Sequence, residues 1–257
     1  MGTGLVWHQY RYDRRTFWRD PASVFFTVAL PLIFLFLFVS IFGNQTTTVQ
    51  GRQLKVSTYY VPGIITLSVI SATFFNLAIS VTISREQGLL KRLRSTPLPP
   101  SVLFGGRILN STVVTLLMVV AVVGIGRLLY GVAVPTATLP GALLALVVGA
   151  GAFCALGLAL TAVIPSEGAA PAITNAIILP LYFISGVFLP DEVLPAPVRQ
   201  VADLFPVKHL FQSLLTAFDP NVGGAGVAVG HIAVVAAWGV AGLLVAMRTF
   251  RWTPRGD

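Results

Sequence analysis

A chain of 257 residues that is 55% hydrophobic and only 10% charged, with a mean hydropathy of +0.84, is too apolar for a soluble domain, where about a quarter of residues carry charge. Its formal charge of +8 comes from 17 Lys and Arg against 9 Asp and Glu, all at the edges of long charge-free runs, so the excess reads as membrane topology and asks for no nucleic-acid partner. The one cysteine, Cys154, excludes an intrachain disulfide and reads as a small packing residue in an apolar run.

On a helical wheel, residues 5–20 place Val6, Tyr10 and Phe17 on one stripe and Arg11, Arg15 and Arg19 on another, with Trp7 and Trp18 between. The pattern predicts an interfacial helix, aromatics at headgroup depth and guanidinium groups on lipid phosphates; the competing reading is an irregular basic tail. A cleaved signal peptide fits less well, because the apolar run that follows is longer than a signal core and ends without a small-x-small site.

No residue is ionised at neutral pH between Asp20 and Arg52, nor over 56–84, 108–126, 128–166, 168–190 and, with His231 neutral, 220–247. Each run supplies the roughly 20 apolar residues that cross about 30 Å of hydrocarbon. Six spans are predicted, at 23–42, 60–83, 108–130, 139–164, 170–189 and 226–247, in one transmembrane domain covering 1–257. Pro31 and Pro180 predict kinks, and the glycines of the fourth and sixth spans predict close helix packing.

Between the second and third spans, Ser84 and Gln87 have capping-box spacing, and Leu89, Leu90 and Leu93 form an apolar edge beside Lys91, Arg92 and Arg94, before Pro97, Pro99 and Pro100. This predicts a short amphipathic helix over 84–96, projecting from the membrane, where a plain topogenic loop would need only the charges. After the fifth span, 190–219 is too apolar for a solvated loop and too rich in proline to cross. Short re-entrant helices, with Pro190, Pro195, Pro197 and Pro206 buried in protein, would satisfy its backbone; a simple outer hairpin is the alternative.

These two segments carry a resemblance. Arg85-Glu86-Gln87-Gly88-Leu89-Leu90-Lys91-Arg92-Leu93-Arg94, followed by Ser95-Thr96-Pro97, resembles the inner-loop signature of ABC exporter permeases of the daunorubicin-resistance type, a type V exporter-like group. Ser185-Gly186-Val187-Phe188-Leu189-Pro190, with Leu194-Pro195 and Phe205-Pro206, is similar to the segment after their fifth span, and the likeness extends over essentially the whole chain. It implies an all-α membrane protein, the transmembrane half of an ATP-driven exporter in the bacterial inner membrane. A separate P-loop ATPase would hold ATP and Mg2+, and a second permease subunit, identical or a close paralogue, would complete the path.

The resemblance further implies that Glu86, Gln87, Gly88, Leu89, Leu90, Leu93 and Arg94 form a coupling helix seated in a groove of that ATPase, and that the N-terminal helix also rests on it. The second and fifth spans of two subunits would face each other across the substrate path. The matching positions are Ser71, Thr73, Phe74 and Asn76 on one and Thr174, Asn175 and Ser185 on the other. Hydrogen bonding between helices of one subunit is the other reading of the polar ones.

Absences sort the function classes. Without a Gly-Lys dipeptide the chain has no phosphate-binding P-loop, so it is expected to bind no cofactor and to act as no enzyme of its own. An ion-coupled secondary transporter of small amphipaths is the alternative, but such carriers place carboxylates or histidines in the bilayer, and only His231 falls within a span. His8, His209 and His231 look scattered, which argues against a metal site or an intramembrane enzyme.

With both termini inside, Arg11, Arg14, Arg15, Arg19, Arg85, Lys91, Arg92, Arg94, Arg107, Arg248, Arg251 and Arg255 are inner, while Arg52, Lys55, Arg127, Arg199 and Lys208 are outer. In a Cys154→Ala background, an impermeant thiol reagent applied outside intact cells should therefore label cysteines at Gln50 and Gln200 but not at Ser95 or Thr253. Labelling at position 95 from outside would invert the topology.

Overall fold

The computed structural model describes residues 2–42, 45–49, 52–94 and 100–254. Ser95 and Thr96 of the expected coupling helix, and Pro97 and Pro99 after it, lie outside the described residues. α1 (Gly2–Arg19) leads through α2 (Pro21–Val24) and a π turn (Phe25–Ala29) into α3 (Leu30–Phe42). A hairpin of β1 (Thr46–Val49) and β2 (Arg52–Lys55) follows, antiparallel, with Thr46 opposite Lys55 and Val49 opposite Arg52. These short strands fall between the expected first and second spans, where β-branched threonines suit them. α4 (Val56–Ile70), a second π turn (Ser71–Phe75) and α5 (Asn76–Glu86) then form one continuous helix, after which come α6 (Leu89–Arg94) and α7 (Pro100–Tyr130).

α8 (Leu139–Leu160), α9 (Ala170–Ile184), a 3-10 turn (Asp191–Val193), α10 (Ala196–Ala202), α11 (Pro206–Phe218) and α12 (Val229–Thr249) complete the chain. Among the described residues five helices are long and apolar enough to cross a membrane: Phe25–Phe42, Val56–Glu86, Val102–Tyr130, Leu139–Leu160 and Val229–Thr249. α9 is apolar but has 15 residues, about 22 Å at 1.5 Å per residue. The fifth span had been expected to reach Leu189; the helix stops at Ile184 because Gly186 takes a φ of +83°, a left-handed conformation that a glycine adopts without strain.

α4 is the centre of the bundle. It is apolar around its whole circumference, and every one of its residues is buried, under α3, α7, α8 and α11. Its hydroxyls at Thr66 and Ser68 bond back to the carbonyls of Pro62 and Ile64, so they ask nothing of their neighbours. Tyr59 and Tyr60, by contrast, donate across the bundle to the carbonyls of Gly186 and Phe188, two groups exposed by the end of α9. α11 packs one apolar face on α4 and α8. Of the four outer prolines expected to be buried, only Pro206 is fully so; Pro195 and Pro197 are exposed at the start of α10, where a missing N–H costs no intrahelical bond.

Glycines set the closest approaches. α12 lies on α8 where a Cβ at Gly239 would come within 2.8 Å of the Ala152 Cβ, and at Gly242 within 2.9 Å of Leu156. α1 lies on the start of α7, with Val6, Gln9 and Tyr10 against Gly105 and Gly106. On α8, Gly157 meets the second π turn, where a Cβ would stand 2.7 Å from the Phe74 carbonyl oxygen, while Gly151 has open space around it.

Gly157→Ala should therefore lower stability by about 1–3 kcal/mol through overpacking against backbone, whereas Gly151→Ala should be neutral or stabilising by a few tenths. Thermal unfolding of the detergent-solubilised protein gives the comparison. Equal melting temperatures would contradict the described contact between α8 and the π turn.

Candidate functional site: an aromatic cavity and a helical elbow

Two regions bring the predicted residues together. The first is a cavity of about 260 Å³ between the α3 segment, the second π turn and α9. Phe26, Leu30 and Phe34 form one wall, Leu67, Ser71 and Phe75 the second, and Asn175, Ile178, Leu179 and Tyr182 the third, with Phe188 alongside. Phe26 and Leu179 are exposed, so the cavity opens toward the bundle surface. Ser71 and Asn175 give it polar groups; the Tyr182 hydroxyl, 3.5 Å from the Leu67 carbonyl, lies on the same side. Aromatic and aliphatic walls with few polar groups suit the apolar body and single polar handle of an amphipath.

Both π turns border this cavity, and Phe26 of one approaches Phe75 of the other with ring centroids 6.1 Å apart. Pro31 accounts for the first: lacking an N–H it cannot serve the Thr27 carbonyl, and the wider turn at Phe25–Ala29, with Leu30 N–H bonded to the Phe25 carbonyl, absorbs the misfit. The second has Asn76 N–H bonded to the Ser71 carbonyl and presents Phe74 to Gly157.

Of the predicted pathway residues, Ser71 and Asn175 share the cavity. Thr73 and Thr174 are buried and spend their hydroxyls on the carbonyls of Val69 and Ala170 within their own helices. Phe74 packs edge-on against Phe153, away from the cavity. Asn76 is half-buried outside the lining, and Ser185 is buried at the end of α9 with no hydrogen-bond partner for its hydroxyl among the described residues. The lining residues Phe26, Phe34, Phe75, Tyr182 and Phe188 were not foreseen, because aromatic residues in an apolar run look alike whether they face lipid, core or cavity.

The second region is the elbow between α5 and α6. The capping box does not form: α5 runs through Ser84, whose hydroxyl bonds back to Ser80, and the chain turns at Gln87 and Gly88, the latter at φ +69°. α6 starts only at Leu89, and this new phase splits the apolar edge. Leu90 is fully buried with Val81 and Leu103, Leu93 packs beside them, and Leu89 is 40% exposed. Glu86 pairs with Arg85 at 2.6 Å, Gln87 donates to Glu167 at 3.3 Å, and Arg94 closes α6.

α1 flanks the elbow through α7. Tyr10 and Phe17 are buried and Val6 contacts Gly105, whereas Arg11, Arg15 and Arg19 are exposed together with Trp7 and Trp18. Burial raises the Asp13 carboxyl above its ordinary value, opposed by the nearby Arg107 guanidinium and the Gln9 amide. Arg107 itself donates to Ser84 at 2.7 Å, linking α7 to the end of α5.

At the opposite end of the bundle, Lys208 is bound between Asp191 at 3.0 Å and Asp203 at 2.8 Å. Burial alone would lower its ammonium, but the two carboxylates outweigh it and hold it above its ordinary value. The histidines are not all scattered as the sequence suggested: His209 and His231 approach to 2.8 Å between their Nδ1 atoms, and His209 Nε2 lies 2.8 Å from the Asp203 carbonyl. No group of three or more potential metal ligands occurs among the described residues.

Residues 5–218 match the ABC-2 type transporter family. The chain belongs to that family. ABC-2 relatives include the daunorubicin resistance ABC transporter permease protein DrrB1 of Streptomyces coeruleorubidus, 28% identical over 196 residues that cover 74% of this chain and 66% of that protein. The transport permease YvfS of Bacillus subtilis (strain 168) is 24% identical over 74% of this chain and 76% of its own length. The transport permease ycf38 of Porphyra purpurea is 27% identical over 77% and 68%. As an ABC-2 protein the chain is a multi-pass membrane transport permease, the membrane subunit rather than the ATPase of an ABC transporter.

The split of the leucine edge gives a paired test. Leu90→Asp places a carboxylate in the Val81–Leu103 cluster, which costs several kcal/mol without a partner, so its yield and melting temperature should fall. Leu89→Asp, at an exposed position, should fold normally and keep its yield and melting temperature. Equal melting temperatures for the two would refute the described seating of α6.

Proposed function

We propose that this permease exports an amphipathic small molecule, a drug, an antibiotic or a lipid, and that a separate P-loop ATPase drives it with ATP and Mg2+ that the chain itself does not bind. The observation that carries the reading is the cavity, whose aromatic walls and paired Ser71 and Asn175 fit a ligand with a large apolar body and a polar group. A relative named for daunorubicin resistance supports a cargo of that class. In this reading α9 serves as the fifth of six crossings, its short length extended by the buried Val187 and Phe188, and 190–219 dips back at the outer face. Both termini then lie in the cytoplasm of a bacterial cell, and α1 rests at the inner membrane surface.

The open side of the cavity faces a second permease subunit, so that two copies, or a copy and a paralogue, enclose the path. α6 is the coupling element, presenting Leu89 and the basic residues Lys91 and Arg92 to the ATPase. Closure of the ATPases would be passed through it as a rigid-body shift between inward-closed and outward-open states. An ion-coupled carrier is the competing reading, and the cavity speaks against it: no Asp, Glu, Lys, Arg or His is among the residues lining it.

Purified alone, the chain should hydrolyse no ATP, and from its source cell it should co-purify with a P-loop ATPase. In the reconstituted complex, Asn175→Leu should change which amphipaths stimulate hydrolysis while basal activity is kept, since a lost hydrogen bond is worth about 0.5–1.5 kcal/mol. A proton-gradient-driven uptake by the chain without any ATPase, or an unaltered substrate profile with a lower melting temperature, would count against the proposal.

A further inference from the structure

Arg85 lies in the last turn of α5, two residues before the elbow, and is 2% exposed. All three of its nitrogens are committed. Nη1 donates to the Thr161 carbonyl at 2.7 Å, Nη2 to the Ile164 carbonyl at 2.7 Å, and Nε to Glu86 Oε1 at 2.6 Å. Thr161 is the C-cap residue of α8 and Ile164 lies in the turn that follows, so the guanidinium sits near the negative end of that helix. A planar guanidinium spans two such oxygens at fixed spacing; a lysine ammonium cannot hold both in one geometry.

The surroundings make this contact a mechanical joint. On one side, Leu90 seats α6 against Val81 and Leu103, with Leu158 of α8 alongside. On the other, Ile164 packs with Ala78 of α5 and Ala170, the first residue of α9, and Gln87 reaches Glu167 in the turn between α8 and α9. A displacement of α6 therefore has a direct route to the base of the helix that lines the cavity with Asn175, Ile178 and Tyr182. We infer that Arg85 is a positioning residue that makes the end of α8 and the start of α9 move with the coupling helix, so that force from the ATPase reaches the cavity wall. The inference rests on the exporter reading above.

The test uses the complex with its co-purifying ATPase, in lipid nanodiscs, with spin labels on α6 and at Gly168 in the turn before α9, in a Cys154→Ala background. The α6 label goes at whichever of Lys91 and Arg92 leaves ATPase binding and basal hydrolysis at the level of the unlabelled complex. With Arg85 intact, the distance between the labels should keep one narrow distribution when ATP is added, because the two segments move together. In Arg85→Gln the distribution should shift or broaden on ATP addition, and cargo exported per ATP hydrolysed should fall by at least roughly tenfold, the worth of one charge-assisted hydrogen bond, with basal hydrolysis and ATPase binding retained. Arg85→Lys should fall between the two and serves if the glutamine variant does not fold. A lower melting temperature with an unchanged distance and unchanged export per ATP would leave Arg85 a helix cap and overturn the inference. If the native chain recruits no ATPase, or its complex exports nothing on ATP addition, the exporter reading fails instead.

Discussion

Hydrocarbon offers no hydrogen bonds, so each backbone group left unpaired at depth must be met by another part of the protein. In this permease one continuous helix, Val56–Glu86, meets that demand at both of its ends. Tyr59 and Tyr60 take the carbonyls released where α9 breaks at Gly186, and Arg85 takes those released where α8 ends. The same helix is wrapped on all sides through α4, so its neighbours are organised around it and the irregular segments depend on it. Removing these side chains would strand carbonyls in the segments that follow α8 and α9, which makes their effect non-local.

The two π turns extend this logic. Each frees a residue from the regular ladder, and both do so beside the cavity, where Phe26 and Phe75 approach each other. One follows from Pro31, and the other meets a glycine, Gly157, that lets α8 come close to the Phe74 carbonyl. Local irregularity in the backbone thus coincides with the place where a packed bundle leaves room for a ligand.

Much of this fold could be read in advance, and the reason is specific. Charges cannot enter the bilayer cheaply, so the gaps between them lie over the five long helices, although α7 begins at Pro100, well before the expected 108, and α9 is shorter than its gap. The basic-aromatic pattern of 5–20 lies over α1. What escaped was what has no side-chain signature. The partners of Arg85 are backbone carbonyls, which every residue has, and the hairpin at Thr46–Lys55 is too short to show a period. The leucine edge misled because a periodicity argument assumes one unbroken helix, and Gly88 resets the phase between Ser84 and Leu89. Similarly, Ser71 and Thr73 were equivalent as letters, yet one faces the cavity and the other satisfies itself within its helix.

The tyrosine contacts also impose an order on biogenesis. Tyr60 and the carbonyl it serves are 128 residues apart. At a synthesis rate of roughly 5–20 residues per second, Phe188 leaves the ribosome on the order of 10 seconds after Tyr60. Throughout that interval the most enclosed helix of the finished protein lacks the acceptor of its Tyr60 hydroxyl, and α11, which also covers it, follows only after Phe188. The nascent chain must hold α4 against α3, and then against α7 and α8 as they follow, so the final bundle closes only once the C-terminal third has been inserted.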